Sequence, residues 1–143
     1  MSGPARSISC HQRAYLSADW EFCETSADSI ASPDAIAIGT EWHKTTAPTT
    51  AAASLRTLNR WSLDEPARRF DASDWWYRCR FAAPASQQNS TTVLGLDGLA
   101  TVAEVWLNGA LIVSSENMFV AHEINVDKLL RDNNELIIRF RAL

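Results

Sequence analysis

TVLGLDGLATVAEVWLNGALIVSSENMF, residues 92–119, turns on its Asn108-Gly109 step. In residues 102–107, Ala103, Val105 and Leu107 share one face of a strand, and Val102, Glu104 and Trp106 share the other. A two-residue type I′ turn needs positive φ at both central positions, which Asn tolerates and Gly adopts freely. Leu111-Ile112-Val113 is therefore expected to run back antiparallel, with a further strand leading into the hairpin from Thr92.

Outward from the hairpin, most of the chain carries the same period of two. Residues 74–81 read as a long central strand, with Trp75, Tyr77, Cys79 and Phe81 facing in and Trp76, Arg78 and Arg80 facing out. Full burial of such side chains contributes about 1.5–3 kcal/mol each relative to exposure. Residues 20–24 form a strand with Trp20 and Phe22 on one face, and residues 35–38 suggest another, ended by Gly39. One helix stands out, from Ala51 to Leu58, capped by Thr49 or Thr50, with Leu55 and Leu58 on one side. Residues 26–34 and 82–90 are loops by composition, and residues 1–18 form a flexible arm or one short strand. After the hairpin, residues 114–117 are expected to turn. Residues 118–126 then run as a strand with Met118, Val120, His122 and Ile124 on one side. Asp127 is placed as the cap of a single helical turn, Lys128-Leu129-Leu130. Asn133-Asn134 turns again, and residues 136–140 close as a strand with Leu136, Ile138 and Phe140 inward. Short strands separated by turn signals, with little helix, describe an all-β sandwich.

Composition narrows the function. A chain of 143 residues accommodates one domain and buries about two-thirds of its unfolded surface. Hydrophobic residues at 46% and charged residues at 21% are ordinary for a globular protein, and no run approaches the ~20 apolar residues of a membrane span. A net charge of −4 and the lack of a Lys/Arg run argue against binding nucleic acid through its phosphates. Cys10, Cys23 and Cys79 fit neither a disulfide framework nor a metal pattern. His11, His43 and His122 lack partners at ligand spacing, so no metal or cofactor is expected. No apolar leader opens the chain, which makes the cytoplasm the default location. The six tryptophans are the unusual feature of the composition. Trp42, Trp61 and Trp76 can serve as stacking platforms for a sugar ring, or as packing.

Several segments together carry a family resemblance: Gly95-Leu96-Asp97-Gly98-Leu99-Ala100, Val105-Trp106-Leu107-Asn108-Gly109, Asn117-Met118-Phe119 and Asn134-Glu135-Leu136. In this order and spacing they resemble the N-terminal sugar-binding domain of glycoside hydrolase family 2, nearest to its β-mannosidase branch. The likeness extends back through residues 74–81 and, more faintly, to Trp20-Glu21-Phe22. Where the family usually has Pro-Gly-Thr before a short helix, this chain has Pro48-Thr49-Thr50.

The resemblance implies a galactose-binding-like jelly-roll over residues 19–143, incomplete at its C-terminus, with one or two short helices. Retaining glycoside hydrolysis uses two carboxyl groups ~5–5.5 Å apart, which in the family lie in a separate TIM-barrel domain. Asn134-Glu135 matches the ending of the sugar-binding domain, not the family's acid/base pair. Glu104 and Glu123 are expected to be solvated, and no catalytic residue is assigned. The family's Trp-Asp-Trp-Gly segment has no counterpart before Leu143, so the chain is expected to be the front of a longer enzyme, with an open sheet edge. Its implied partners are that catalytic barrel and a β-mannoside or related β-glycoside. Asn117, Met118 and Phe119 are candidates for the interdomain or sugar-facing surface, alongside the three tryptophans. The alternatives are a stand-alone carbohydrate-binding sandwich and a sandwich scaffold that binds no sugar.

Overall fold

The computed structural model describes residues 12–17, 19–47, 49–85 and 90–143. Most of the expected arm, Pro48 and the middle of the loop at 82–90 lie outside them. Eight strands and one helix follow in order: β1 (Trp20–Ser26), β2 (His43–Thr45), α1 (Ala51–Thr57), β3 (Ser73–Ala82), β4 (Val93–Leu96), β5 (Ala103–Leu107), β6 (Ala110–Ser115), β7 (His122–Asn125) and β8 (Asn133–Phe140). Six strands form one sheet in the order β2-β1-β3-β8-β5-β6, and β4 and β7 form a second. All pairings are antiparallel.

Register explains the core. One row across the large sheet runs Phe22, Tyr77, Ile138, Val105, Val113, and the next runs Trp20, Cys79, Leu136, Leu107, Ala110. All but Ala110 are buried, under Leu94 and Leu96 of β4, Ile124 of β7 and Leu55 of α1. This two-layer arrangement is the expected jelly-roll sandwich. Asn108 and Gly109 adopt φ of 51° and 85°, as the type I′ hairpin requires. Thr50 caps α1 by accepting from Ala53 N–H at 3.1 Å, so the helix start survives without the family's glycine.

The opposite face of the same sheet is also covered. Its rows run Glu21, Arg78, Ile137, Trp106, Leu111 and Cys23, Trp76, Arg139, Glu104, Ser114. Cys23, Trp76, Trp106 and Ile137 form a second buried cluster beneath Ile30, Ile36 and Trp42. Cys23 and Cys79 are both buried.

Several local expectations give way. Residues 35–38 are not a strand: Pro33–Ala35 is a 3-10 turn and Gly39 sits at φ 105°. The segment crosses the sheet and drops Ile36 onto the second cluster without pairing. Ser114 and Ser115 belong to β6, and Asn133 and Asn134 open β8, instead of forming turns. The strand expected from Met118 begins only at His122, because Asn117 closes a turn first. The single turn expected at 128–130 forms, with Leu129 and Leu130 N–H donating to Val126 O at 2.8 and 3.0 Å, but Asp127 does not cap it; its carboxylate accepts from Thr92 N–H at 2.7 Å and ties the loop ends of β4 and β7 together.

Candidate functional site

Asn117-Met118-Phe119-Val120 projects beyond the end of β6. Asn117 Oδ1 accepts from the Phe119 N–H at 3.0 Å, and Ser115 Oγ lies within 3.4 Å of both the N–H and the carbonyl of Asn117. These local bonds stiffen the turn, as short Asx motifs do. Gly98 backs it so closely that a Cβ there would lie 2.8 Å from the Met118 carbonyl oxygen. Three consecutive apolar side chains are therefore held in solvent, with Phe119 87% exposed. An exposed apolar group on a fixed turn is the kind of surface that marks an interaction site.

The chain reaches Leu143 at this same end of the sheet. Ala103 pairs with both Ser115 and Phe140, so β6 finishes where β8 does. Beyond β8, Arg141 N–H donates to Val102 O at 2.9 Å, Ala142 N–H to Asp74 Oδ1 at 2.8 Å, and Leu143 N–H to Asp71 O at 2.9 Å. Asp74 is wholly buried and also accepts from Arg139 Nη2 at 2.7 Å and from Asp28 N–H at 3.0 Å. Arg139 reaches Glu104 and Asp28, and Arg141 adds a second cation on Asp28. Glu104, expected to be solvated, is thus half-buried and paired. This network was missed in sequence because Asp74 and Arg139 sit at outward positions of two distant strands. Only the antiparallel register brings them together.

The three candidate tryptophans occupy separate places. Trp76 has no exposed surface: its ring stacks on Trp106 at 5.7 Å, and its indole N–H donates to Thr25 Oγ1. The outward parity expected for it is correct, but that face is covered, so a sugar ring cannot reach it. Trp61 packs edge-on against Phe70 at 5.2 Å on the sandwich side. Trp42 lies on the other face, half-buried, with the Arg78 guanidinium 4.0 Å from its ring centroid.

Carboxylates on the large sheet are engaged with cations. Glu21 takes two bonds from Arg78, and Glu135 pairs with Arg80 at 2.9 Å. Glu135 is thus a strand residue whose carboxylate is held by its cross-strand neighbour. Asn134 is buried, accepting from Asn108 and from Arg131 N–H, while Asn108 Oδ1 accepts from Glu135 N–H. The Asn134-Glu135 pair therefore anchors the hairpin tip. Among the described residues no group of three or more His, Cys, Asp or Glu is placed to hold a metal, and no helix is long and apolar enough to cross a membrane.

Known proteins share this fold and, over about half of the chain, part of this sequence. Over 69 residues the chain is 44% identical to β-mannosidase B of Thermothelomyces thermophilus, a match covering 48% of this chain and 8% of that protein. With β-mannosidase B of Aspergillus terreus the identity is 42% over 72 residues, covering 50% and 8%. The matched segment thus spans less than a tenth of the length of these relatives. The crystal structure of β-D-mannosidase from Dictyoglomus thermophilum superposes with a TM-score of 0.68 at 27% identity, over 89% of this chain and 15% of that one. A β-glucuronidase from Ruminococcus gnavus superposes with a TM-score of 0.66 at 19% identity, over 96% and 23%, a likeness of fold alone. The glycosyl hydrolase 2 galactose-binding domain-like family model matches residues 20–143. This match takes in every strand from β1 to β8, and the chain belongs to that family.

Proposed function

We propose that the chain is the non-catalytic N-terminal module of a β-mannosidase-like retaining glycoside hydrolase. Residues 19–143 are its jelly-roll. In the longer enzyme the module buttresses the catalytic barrel and shapes one wall of the pocket that receives a β-mannoside. The observation that carries this reading is the stiffened, exposed apolar turn at Asn117–Val120. The likeness to two β-mannosidase B proteins supports the substrate class.

The test is hydrolysis of aryl β-D-mannoside, β-D-glucuronide and β-D-galactoside by the native gene product purified from its source cells. The mannoside is expected to be cleaved fastest. A native product inactive on all three would contradict the reading. Phe119→Asp in that product is expected to lower activity and thermal stability, yet to leave the melting of the 143-residue chain unchanged, since Phe119 packs on nothing essential within it.

A further inference from the structure

Asn108 is the one Asn in the chain that Gly follows. The pair is chemically labile as well as turn-forming. Glycine carries no side chain to shield its own nitrogen, so that nitrogen can attack the side-chain carbonyl carbon of the preceding Asn, an approach that a larger residue obstructs. Gly109 is exposed at the point of the hairpin, where the two residues hold φ of 51° and 85°.

The folded tip restrains this reaction through the Asn108 side chain itself. Asn108 Nδ2 donates to Leu129 O at 2.7 Å and to Asn134 Oδ1 at 2.9 Å, and its Oδ1 accepts from Glu135 N–H at 2.9 Å. The Asn108 N–H donates to Glu135 O at 2.9 Å. Both amide hydrogens and the amide oxygen are thus engaged, and a side chain that rotates onto the Gly109 nitrogen must give these bonds up. Their partners all lie in residues 129–135, so the same bonds fasten the hairpin tip to the start of β8. The far side of the fastening is firm: Asn134 is buried and donates to Arg131 O at 2.7 Å and to Phe81 O at 3.4 Å.

We propose that Asn108 is a gated deamidation site, at which opening of the hairpin tip permits a covalent change that keeps the tip from fastening again. In the open tip a bond forms between the Gly109 nitrogen and Asn108 Cγ, the Cγ–Nδ2 bond breaks, and ammonia leaves with the proton of the Gly109 N–H. Water then opens the resulting succinimide at one of its two carbonyls, giving aspartate or isoaspartate at position 108. An ionised carboxylate has no hydrogen to donate. It would face Leu129 O and Asn134 Oδ1, both acceptors, and would add a negative charge beside Glu135. Opening is reversible, but the modification is not. The inference rests on the hairpin tip alone and is independent of the proposed role in a longer enzyme.

The experiment is peptide mapping by mass spectrometry of the 143-residue chain after incubation at mildly alkaline pH, folded in buffer or unfolded in urea, with aspartate and isoaspartate separated by chromatography. In urea Asn108 is expected to convert faster than every other Asn, and in buffer to convert about ten-fold more slowly or less than in urea. Asn134→Ala removes one acceptor of Asn108 Nδ2. It is expected to speed conversion in buffer about three-fold or more while hydrogen exchange at Tyr77 in β3 stays as slow as before. If that variant does not fold, the unaltered chain in sub-denaturing urea gives the same reading, with conversion at Asn108 rising before exchange at Tyr77 does. Asn108→Asp is expected to lower the melting temperature and to speed exchange of the Glu135 amide. Equal conversion in buffer and urea would overturn the inference. So would conversion that rises only together with exchange at Tyr77, or an Asn108→Asp chain that melts with the unaltered one.

Discussion

Asp74 ties three separate parts of this molecule together. It holds Arg139 of β8, the backbone of Asp28 after β1 and the backbone of Ala142 at once, from a position with no exposed surface. Removing one partner of a buried pair leaves the other charge poorly compensated, which costs several kcal/mol. Asp74→Ala is expected to destabilise the chain by about 3 kcal/mol in urea unfolding and to speed hydrogen exchange at Ala142. Buried acids give a pH dependence. Burial pushes the Cys23 thiol from 9.0 up to about 12 against the nearby Arg78 charge. Burial likewise pushes the Tyr77 phenol from 10.0 up to about 12, partly offset by its hydrogen bond to Ser54. Between those values the folded chain keeps protons that the unfolded chain releases, so stability falls as pH rises from about 9 towards 12. Burial also raises the Cys79 thiol, so Cys23→Ala is expected to reduce, without abolishing, the part of that fall that begins near pH 9, as followed by denaturation midpoints.

At the scale of elements, close approaches and caps set the costs. Gly98→Ala would drive a Cβ into the Met118 carbonyl, a backbone atom that cannot swing aside. It is expected to cost about 1–3 kcal/mol and to shift the amide resonances of the Asn117–Val120 turn. Thr50→Ala removes the single side-chain cap of a seven-residue helix and is expected to cost about 1 kcal/mol in thermal or urea unfolding. The hairpin was legible in sequence because its register follows from a two-residue turn whose residues have few conformations open to them. The strand expected at 118–126 was legible only from His122 onward. Alternation of Met118, Val120, His122 and Ile124 continues across a turn that Asn117 closes through its own side chain, and period alone cannot show where pairing starts. Residues 35–38 misled in the same way: apolar positions two apart landed on a sheet face without joining the sheet.

At the scale of the molecule, the large sheet is covered on both faces near its centre. Alternation correctly separated Trp75 and Tyr77 from Trp76, but outward parity did not mean exposure, because the 27–42 segment folds over Trp76 and Trp106. No local pattern announces that a loop will cover a sheet. The candidate turn was visible through the ordered family motifs, whereas the Asp74–Arg139 network required the register between β3 and β8. The second sheet has only two strands among the described residues, and both lack a partner on their outer edge. Unpaired edges are templates for further strands, as expected of a module that works within a longer enzyme. The most direct measurement is the intact mass of the native gene product from its source cells, detected with an antibody raised against the segment containing β3. The account predicts a product several times heavier than 15.9 kDa. A native product of 15.9 kDa would contradict it and leave a stand-alone sandwich as the functional unit.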